Sequence, residues 1–252
     1  MKITATIQAR MGSKRLPGKV LSDINGKPML SLQIERIRRS RLIDNIIVAT
    51  SNSKKDNKIV DFCLSENIDY FRGSEKDVIK RITELLKQKK VELHIEFYGD
   101  SPLIDPNLID EHIAIFLKNS PKLDYLSNGI KTTYPPGSEF NIYKAQTLIE
   151  VEKSLRKDDP LREHVGYNIT RFANKYNIKS IDAPYWYNYP DIYLEVDEEE
   201  DLKLIRAIDS HFLKSKSDFY SLKDIIYLLK EKPELAKINC KVKRRWKELR
   251  GE

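Results

Sequence analysis

Residues 3–19 read I-T-A-T-I-Q-A-R-M-G-S-K-R-L-P-G-K. Ile3, Ala5 and Ile7 alternate with Thr4 and Thr6, the period of a strand, so the chain enters a sheet almost at once. A loop follows that carries Gly12, Ser13, Pro17 and Gly18 with four cations, Arg10, Lys14, Arg15 and Lys19. Glycine after a strand lets backbone N–H groups approach a ligand, while guanidinium and ammonium groups neutralise clustered anionic oxygens. The combination suits a triphosphate. A solvated basic turn after an edge strand has the same composition, and the spacing matches neither the P-loop nor the G-x-G-x-x-G fingerprint.

Downstream, strand and helix signals alternate over the first ~120 residues. Pro28 opens a helix with Leu30, Ile34 and Ile37 on one face, and I-I-V-A-T (46–50) reads as a buried strand. A helix through Ile59, Phe62 and Cys63 precedes a short strand, Asp69–Arg72. The pattern continues with a helix from Glu75 (Val78, Ile82, Leu85, Leu86), a strand Leu93–Tyr98 and a helix from Pro106 (Ile109, Ile113, Phe116, Leu117). Regular β-α-β alternation with short connections predicts an α/β fold: a mostly parallel sheet with helices on both faces. Ligands of such sheets sit beyond the carboxyl ends of the strands. There the basic loop is expected to meet Thr50–Asn52, Arg72–Ser74 and Gly99–Asp100.

From about 121 to 190 tyrosine and proline become frequent, with Tyr125, Tyr134, Pro135, Pro136, Tyr185, Trp186, Tyr187, Tyr189 and Pro190. Helical stretches are predicted near Lys144–Leu155 and Arg162–Tyr176. This aromatic-rich segment is expected as an inserted lobe that covers the cleft and supplies a subunit contact. A last strand, Ile192–Val196, precedes a helix over Glu198–Ile208, and peripheral helices are expected at Leu222–Lys230 and Ala236–Leu249. With 252 residues one large domain or two small ones are possible. The reading adopted is one domain over 1–252, with its core at about 1–120 and 190–210, an insertion at 121–190 and C-terminal helices at 211–252.

The chain is 40% hydrophobic and 33% charged, which describes a folded protein and not a disordered one. A net charge of +7 permits an acidic ligand. Much of the excess lies at Lys241, Lys243, Arg244, Arg245, Lys247 and Arg250, a tail expected as a solvated helix face and not a nucleic-acid surface. Cys63 and Cys240 are far apart and lack metal-ligand spacing; Cys63 falls on an apolar stripe and reads as a packed thiol. The four histidines, His94, His112, His164 and His211, form no zinc motif. A strand at the N-terminus and the lack of any long apolar run predict no signal peptide, no membrane association and a cytoplasmic setting.

Two carboxylates stand out. Asp100 follows the strand Leu93–Tyr98 in G-D-S-P-L-I, and Asp197 closes the stretch Y-L-E-V. A pair of carboxylates at strand tips suits magnesium, which takes one or two protein oxygens and completes its shell with water and phosphate. Such an ion would neutralise a triphosphate. Each also has an ordinary reading, Asp100 as a turn residue and Asp197 as a helix N-cap facing Glu200.

The stretches I-Q-A-R-M-G-S-K-R-L-P-G-K-V-L and G-K-P-M-L resemble the cytidylyltransferases that make CMP-activated acidic sugars. The likeness is greatest to the SpsF-like branch, named after a spore-coat polysaccharide protein. It continues through I-V-A-T-S (47–51), F-R-G-S-E-K-D-V (71–78), Y-G-D-S-P-L-I-D-P (98–106), D-Y-L-S-N (124–128), Y-P-P-G (134–137), R-E-H-V (162–165) and V-D-E-E-E-D-L (196–202). The resemblance thus spans residues 3–205. It implies a Rossmann-like (GT-A-like) nucleotidyltransferase fold and magnesium-dependent transfer of CMP from CTP, with release of pyrophosphate. By matching position, Arg10 and Lys19 are the expected triphosphate ligands and, with Asp100, the catalytic set. Ala9, Met11, Gly12, Ser13, Arg15, Arg72 and Ser74 complete the expected nucleotide site, while Asp100 and Asp197 match the metal aspartates. The acceptor is expected to meet Tyr134, Glu139, Asn141, Arg162, Glu163 and His164. A homodimer is the expected assembly.

Two departures bear on the acceptor. Tyr98 and Ser101 flank Gly99-Asp100 where the sugar-acid enzymes commonly carry Gln and Glu, and Asn141 stands where SpsF-like members usually have a carboxylate. An amide in place of an acid changes both charge and hydrogen-bond polarity. Two rival classes are a nucleotide-sugar glycosyltransferase and a non-enzymatic binding protein. The first normally carries a D-x-D metal motif, whereas Asp100 is followed by Ser101-Pro102.

Overall fold

The structure is a computed structural model that describes residues 2–215, 219–244 and 247. Strand β1 (Ile3–Gln8) leads into the basic loop, a single 3-10 turn (Lys19–Leu21) and a small hairpin, β2 (Asp23–Ile24) with β3 (Lys27–Pro28). Then follow α1 (Met29–Ile37), β4 (Asn45–Ser51), α2 (Asn57–Ser65), β5 (Asp69–Gly73), α3 (Val78–Gln88), β6 (Leu93–Tyr98) and α4 (Pro106–Asn119). The second half comprises β7 (Tyr125–Ser127), β8 (Asn141–Lys144), α5 (Ala145–Ser154), α6 (Tyr167–Thr170), β9 (Ile178–Ser180), α7 (Glu199–Lys214), α8 (Leu222–Glu231) and α9 (Pro233–Ala236).

Seven strands form one sheet in the order β5-β4-β1-β6-β8-β7-β9. The pairs β5–β4, β4–β1, β1–β6 and β7–β9 are parallel, while β8 runs antiparallel to β6 and β7. Register aligns the carboxyl ends: Gln8 lies opposite both Ala49 and Tyr98. Alternation then assigns the faces. Ala5, Ile7, Ile95 and Phe97 pack with Ile34, Phe116 and Ile205 in one buried cluster; Val78, Ile82, Leu85 and Leu148 build a second with Tyr125 and Tyr143. Thr6, Gln8, His94 and Glu96 put polar atoms inside the sheet instead, and pair with one another.

The segment 121–190 is built into the sheet and does not stand beside it, since β7, β8 and β9 extend the parallel core from β6 outward. Helix α3 begins at Val78, three residues after Glu75, because the Asp77 side chain accepts the Lys80 N–H and sets the N-cap there. The helix expected over Arg162–Tyr176 breaks into a 3-10 turn (Pro160–Glu163), the single turn α6 and further turns. Gly166 explains the break: its backbone N–H donates to buried Glu96 Oε2 at 2.9 Å, so the chain dips toward the sheet where a helix would stay outside it.

Residues 192–196 form no strand. Their N–H groups reach two different neighbours, Leu194 to the Pro136 carbonyl at 2.7 Å and Val196 to the Asp100 carbonyl at 2.8 Å, so no ladder develops. The Pro136 carbonyl is presented by a tight turn, with Ser138 N–H on the Pro135 carbonyl and Gly137 at φ +97°. Beyond α9 the expected helix over Ala236–Leu249 gives way to turns; Arg245, Trp246 and residues 248–252 lie outside the described residues. Arg244 is buried, not solvated. Cys63 is buried as expected, and burial pushes its thiol up to about 12.

Candidate active site

The basic loop leaves the end of β1 and closes on itself where Gly18 N–H donates to the Met11 carbonyl at 3.0 Å. Gly18 takes a left-handed φ of +78°, which glycine adopts without strain, and this turns the chain into the 3-10 turn headed by Lys19. Ser13 Oγ accepts the Leu16 N–H within the loop, and Met11 N–H is held by Asp56 Oδ1 at 2.7 Å. At Gly12 an added Cβ would meet no protein atom within 4 Å, so packing alone does not require glycine there. Ala9 is buried, its N–H on the Ala49 carbonyl.

Lys19 is the centre of the site. Its ammonium donates to Val196 O at 2.6 Å, Asp197 Oδ1 at 2.9 Å and Asp100 Oδ2 at 3.2 Å. Burial opposes the charge on Lys19, but Asp100 and Asp197 outweigh it and hold the ammonium above the ordinary lysine range. For Asp197 burial is likewise overcome by Lys19 and Arg15, which keep its carboxyl below the ordinary range. Arg15 reaches Asp197 Oδ2 directly, with Glu198 farther off at 3.9 Å. Asp197 is therefore not the cap of α7; Glu198 takes that place in a capping box with Asp201. Three oxygens, two of them anionic, thus converge on one cation. An all-oxygen set of this kind fits a hard divalent ion such as magnesium. Among the described residues no larger group of His, Cys, Asp or Glu suits a metal.

Arg10 is exposed, and its charge is felt by Arg81, buried beneath β5. Burial and Arg10 together push Arg81 down to about 10 against the pull of Asp56. Two guanidiniums close to one another favour an anion between them. Arg72 lies in β5, and its guanidinium donates to the carbonyls of Ser51 and Ser53 and to Asn57 Oδ1, at 2.9–3.0 Å. It orders the loop after β4 with all three of its nitrogens. Ser74 Oγ accepts the Asp77 N–H, and the Ser74 carbonyl accepts from Arg81.

The cytidylyltransferase family model matches residues 4–231. The chain belongs to the cytidylyltransferase family. It is 34% identical to a protein of Methanocaldococcus jannaschii over 97% of each chain. It is 30% identical to the spore coat polysaccharide biosynthesis protein SpsF of Bacillus subtilis, covering 91% of this chain and 95% of that one. Among solved structures, a cytidylyltransferase of Leptospira borgpetersenii superposes with a TM-score of 0.87 at 28% identity, over 94% of this chain and 97% of that chain. The mostly parallel sheet is the nucleotidyltransferase fold of this family.

The residues expected to meet the acceptor of this cytidylyltransferase divide into separate places. Asn141 lies in a buried polar network. Its amide donates to Glu96 Oε2 at 3.1 Å and to the Tyr98 hydroxyl at 2.9 Å, and its oxygen accepts from the Tyr125 hydroxyl at 2.7 Å. Glu96 also accepts from Gln8, Tyr143 and Gly166. Burial pushes Glu96 up to about 7 despite these four donors. Tyr134 belongs to the opposite face, near His112 and stacked with Tyr187, each at 6.1 Å between ring centres. Glu139 Oε2 caps the Gly137 N–H at 2.7 Å. Arg162 is buried and clamped between Asp77 and Glu152, while Glu163 and His164 are exposed.

Sequence reading missed Gln8, Glu96, Tyr125 and Tyr143, the rest of this network. The signal was present: a central parallel strand covered on both faces reads as apolar throughout, yet β1 and β6 carry Thr6, Gln8, His94 and Glu96 at alternate positions. Asp56, which ties Met11 to the Ser51 N–H and hydroxyl, left no such mark in S-N-S-K-K-D.

Proposed function

We propose that this cytidylyltransferase transfers CMP from CTP to a small polar acceptor, a sugar acid or a relative of one, in a magnesium-dependent reaction that releases pyrophosphate. The observation that carries the reading is the Lys19 ammonium shared by Asp100, Asp197 and the Val196 carbonyl at the foot of the basic loop. Asp100 and Asp197 would hold the magnesium. Bound there, magnesium supplies charge neutralisation and Lewis-acid polarisation at the phosphates. The chain's own residues do the rest. Arg10 and Lys14 bind and orient the triphosphate, and Gly12 admits its oxygens close to the backbone. Arg15 and Lys19, which pair with Asp197 and Asp100, add their charge to the same cradle. An acceptor oxygen attacks the α-phosphorus in line, the bond to the bridging oxygen breaks, and pyrophosphate departs against the loop cations.

The likeness to the spore coat polysaccharide biosynthesis protein of B. subtilis supports a surface-polysaccharide setting. A homodimer belongs to the same reading, and exposed Tyr185 and Trp186 (86% and 58%) give it an aromatic surface to cover. Sedimentation measures that assembly directly.

Pyrophosphate release from each nucleoside triphosphate, with magnesium and a panel of acidic and neutral sugars, tests the reaction. CTP is expected to be preferred, and Asp100→Ala is expected to reduce release by about a hundred-fold or more while the melting temperature holds. Undiminished turnover by Asp100→Ala, or no release from any triphosphate, overturns the proposal.

A further inference from the structure

Asp197 owes its place to a carboxylate that never faces the cleft. Asp201, fully buried in the first turn of α7, accepts the backbone N–H groups of Asp197 and Glu198 on Oδ2, each at 2.9 Å. Two backbone bonds do not fill a carboxylate's acceptor capacity. The remaining donors come from the far end of the chain. Arg244 donates to Oδ2 at 3.2 Å and to Oδ1 at 2.7 Å, and Asn239 Nδ2 donates to Oδ1 at 2.8 Å.

The same C-terminal residues grip the stretch that leads into Asp197. Asn239 Nδ2 also donates to the Tyr193 carbonyl at 3.0 Å, Arg244 pairs with Glu195 at 3.6 Å, and its guanidinium lies 4.3 Å from the centre of the Tyr193 ring. From the other side, Arg15 bridges Asp197 and the Lys243 carbonyl. Residues 192–196 have no strand ladder, only the backbone bonds of Leu194 and Val196, so these contacts complete the hold on Asp197. A buried charge pair of this kind is costly to break from one side, because the partner is left uncompensated.

We infer that Asn239 and Arg244 are positioning residues for Asp197, acting through Asp201, and that the segment 239–244 is part of the active-site architecture. The inference rests on the reading of Asp197 as a metal-holding carboxylate. It makes Asn239 and Arg244 an internal brace, with Arg244 spent on Asp201 and Glu195 and not offered to an outside anion.

The test uses the full chain with Arg244→Met, Arg244→Lys and the milder Asn239→Ala. Hydrogen exchange is followed at the amides of residues 197–198, with β1 as the internal reference. Arg244→Met is expected to accelerate exchange at 197–198 while β1 stays protected. It is also expected to raise the magnesium concentration for half-maximal pyrophosphate release by about ten- to a hundred-fold, with the KM for CTP changed less. Arg244→Lys recovers part of both effects. If Arg244→Met does not fold, Asn239→Ala carries the same two readouts at smaller amplitude. Unchanged exchange at 197–198 overturns the inference. So does faster exchange with an unchanged magnesium requirement, provided Asp197→Ala is inactive. Full activity of Asp197→Ala instead sinks the underlying reading of Asp197.

Discussion

The backbone N–H of Val196 donates to the carbonyl of Asp100 at 2.8 Å, joining the end of β6 to a stretch that belongs to no strand. Asp100 and the neighbour of Val196, Asp197, thereby come to bear on one ammonium, that of Lys19. The backbone bond leaves little rotamer freedom between the two segments, and the side chains of Asn239 and Arg244 brace Asp197 from behind.

Lys19 and a divalent ion would compete for the same two carboxylates. In the absence of nucleotide, added magnesium is expected to move the melting temperature of the wild type little. In Lys19→Met the acids lose their buried partner and the fold loses stability, and magnesium is expected to restore part of it. Saturation to about a hundred times Kd corresponds to about 2.7 kcal/mol. A thermal-shift titration of both proteins decides this; equal responses count against a shared site.

Glu96 makes stability depend on pH with an unusual sign. Its carboxyl rises from an ordinary 4.5 to about 7 through burial, so between those values the folded chain keeps a proton that the unfolded chain has released. Stability contributed by Glu96 therefore falls as pH rises across that window, by about 3 kcal/mol in full. His94, lowered by burial to about 3, acts oppositely: below 6.5 the unfolded chain binds a proton that the folded chain refuses. Comparing wild type with Glu96→Gln by denaturant melts from pH 5 to pH 8 isolates the carboxyl. The difference between the two proteins is expected to change in favour of Glu96→Gln as pH rises to about 7 and to level off above it; a constant difference rejects the assignment.

Asn141 tests the polar network from the other side. Its amide N–H groups serve Glu96 and Tyr98, so Asn141→Asp replaces a donor with an acceptor beside a buried carboxyl. A cost of about 3 kcal/mol is expected, larger at pH 8 than at pH 5 because both acids are then asked to ionise. Urea melts at the two pH values measure it. A variant as stable as wild type at pH 8 would show that water reaches this network freely.

Much of the parallel core was legible in the sequence. Strand β6 and the start of α4 at Pro106 fall where the pattern places them, because buried faces impose period 2 or 3.6 on apolar residues. The family, too, follows from motifs that recur in order along 3–205. Strands β7, β8 and β9 were not legible: Y-L-S, N-I-Y-K and I-K-S are short and partly polar, and they become strands by pairing onto a sheet edge that already exists.

The same division runs through the site. Local chemistry marked Arg10, Arg15, Lys19, Asp100 and Asp197, since a glycine-bearing basic loop and acids at element ends declare themselves without partners. Which of these cations turn inward, and which arginines are spent on the fold, was settled by contacts across the chain: Lys19 to residues 100 and 197, Arg72 to the Ser51 and Ser53 carbonyls, Arg162 to Asp77 and Glu152, Arg244 to Asp201. A charged side chain looks alike in a sequence whether water or a buried carboxylate will neutralise it. The choice depends on desolvation and on a partner's position, and neither exists until the chain has folded.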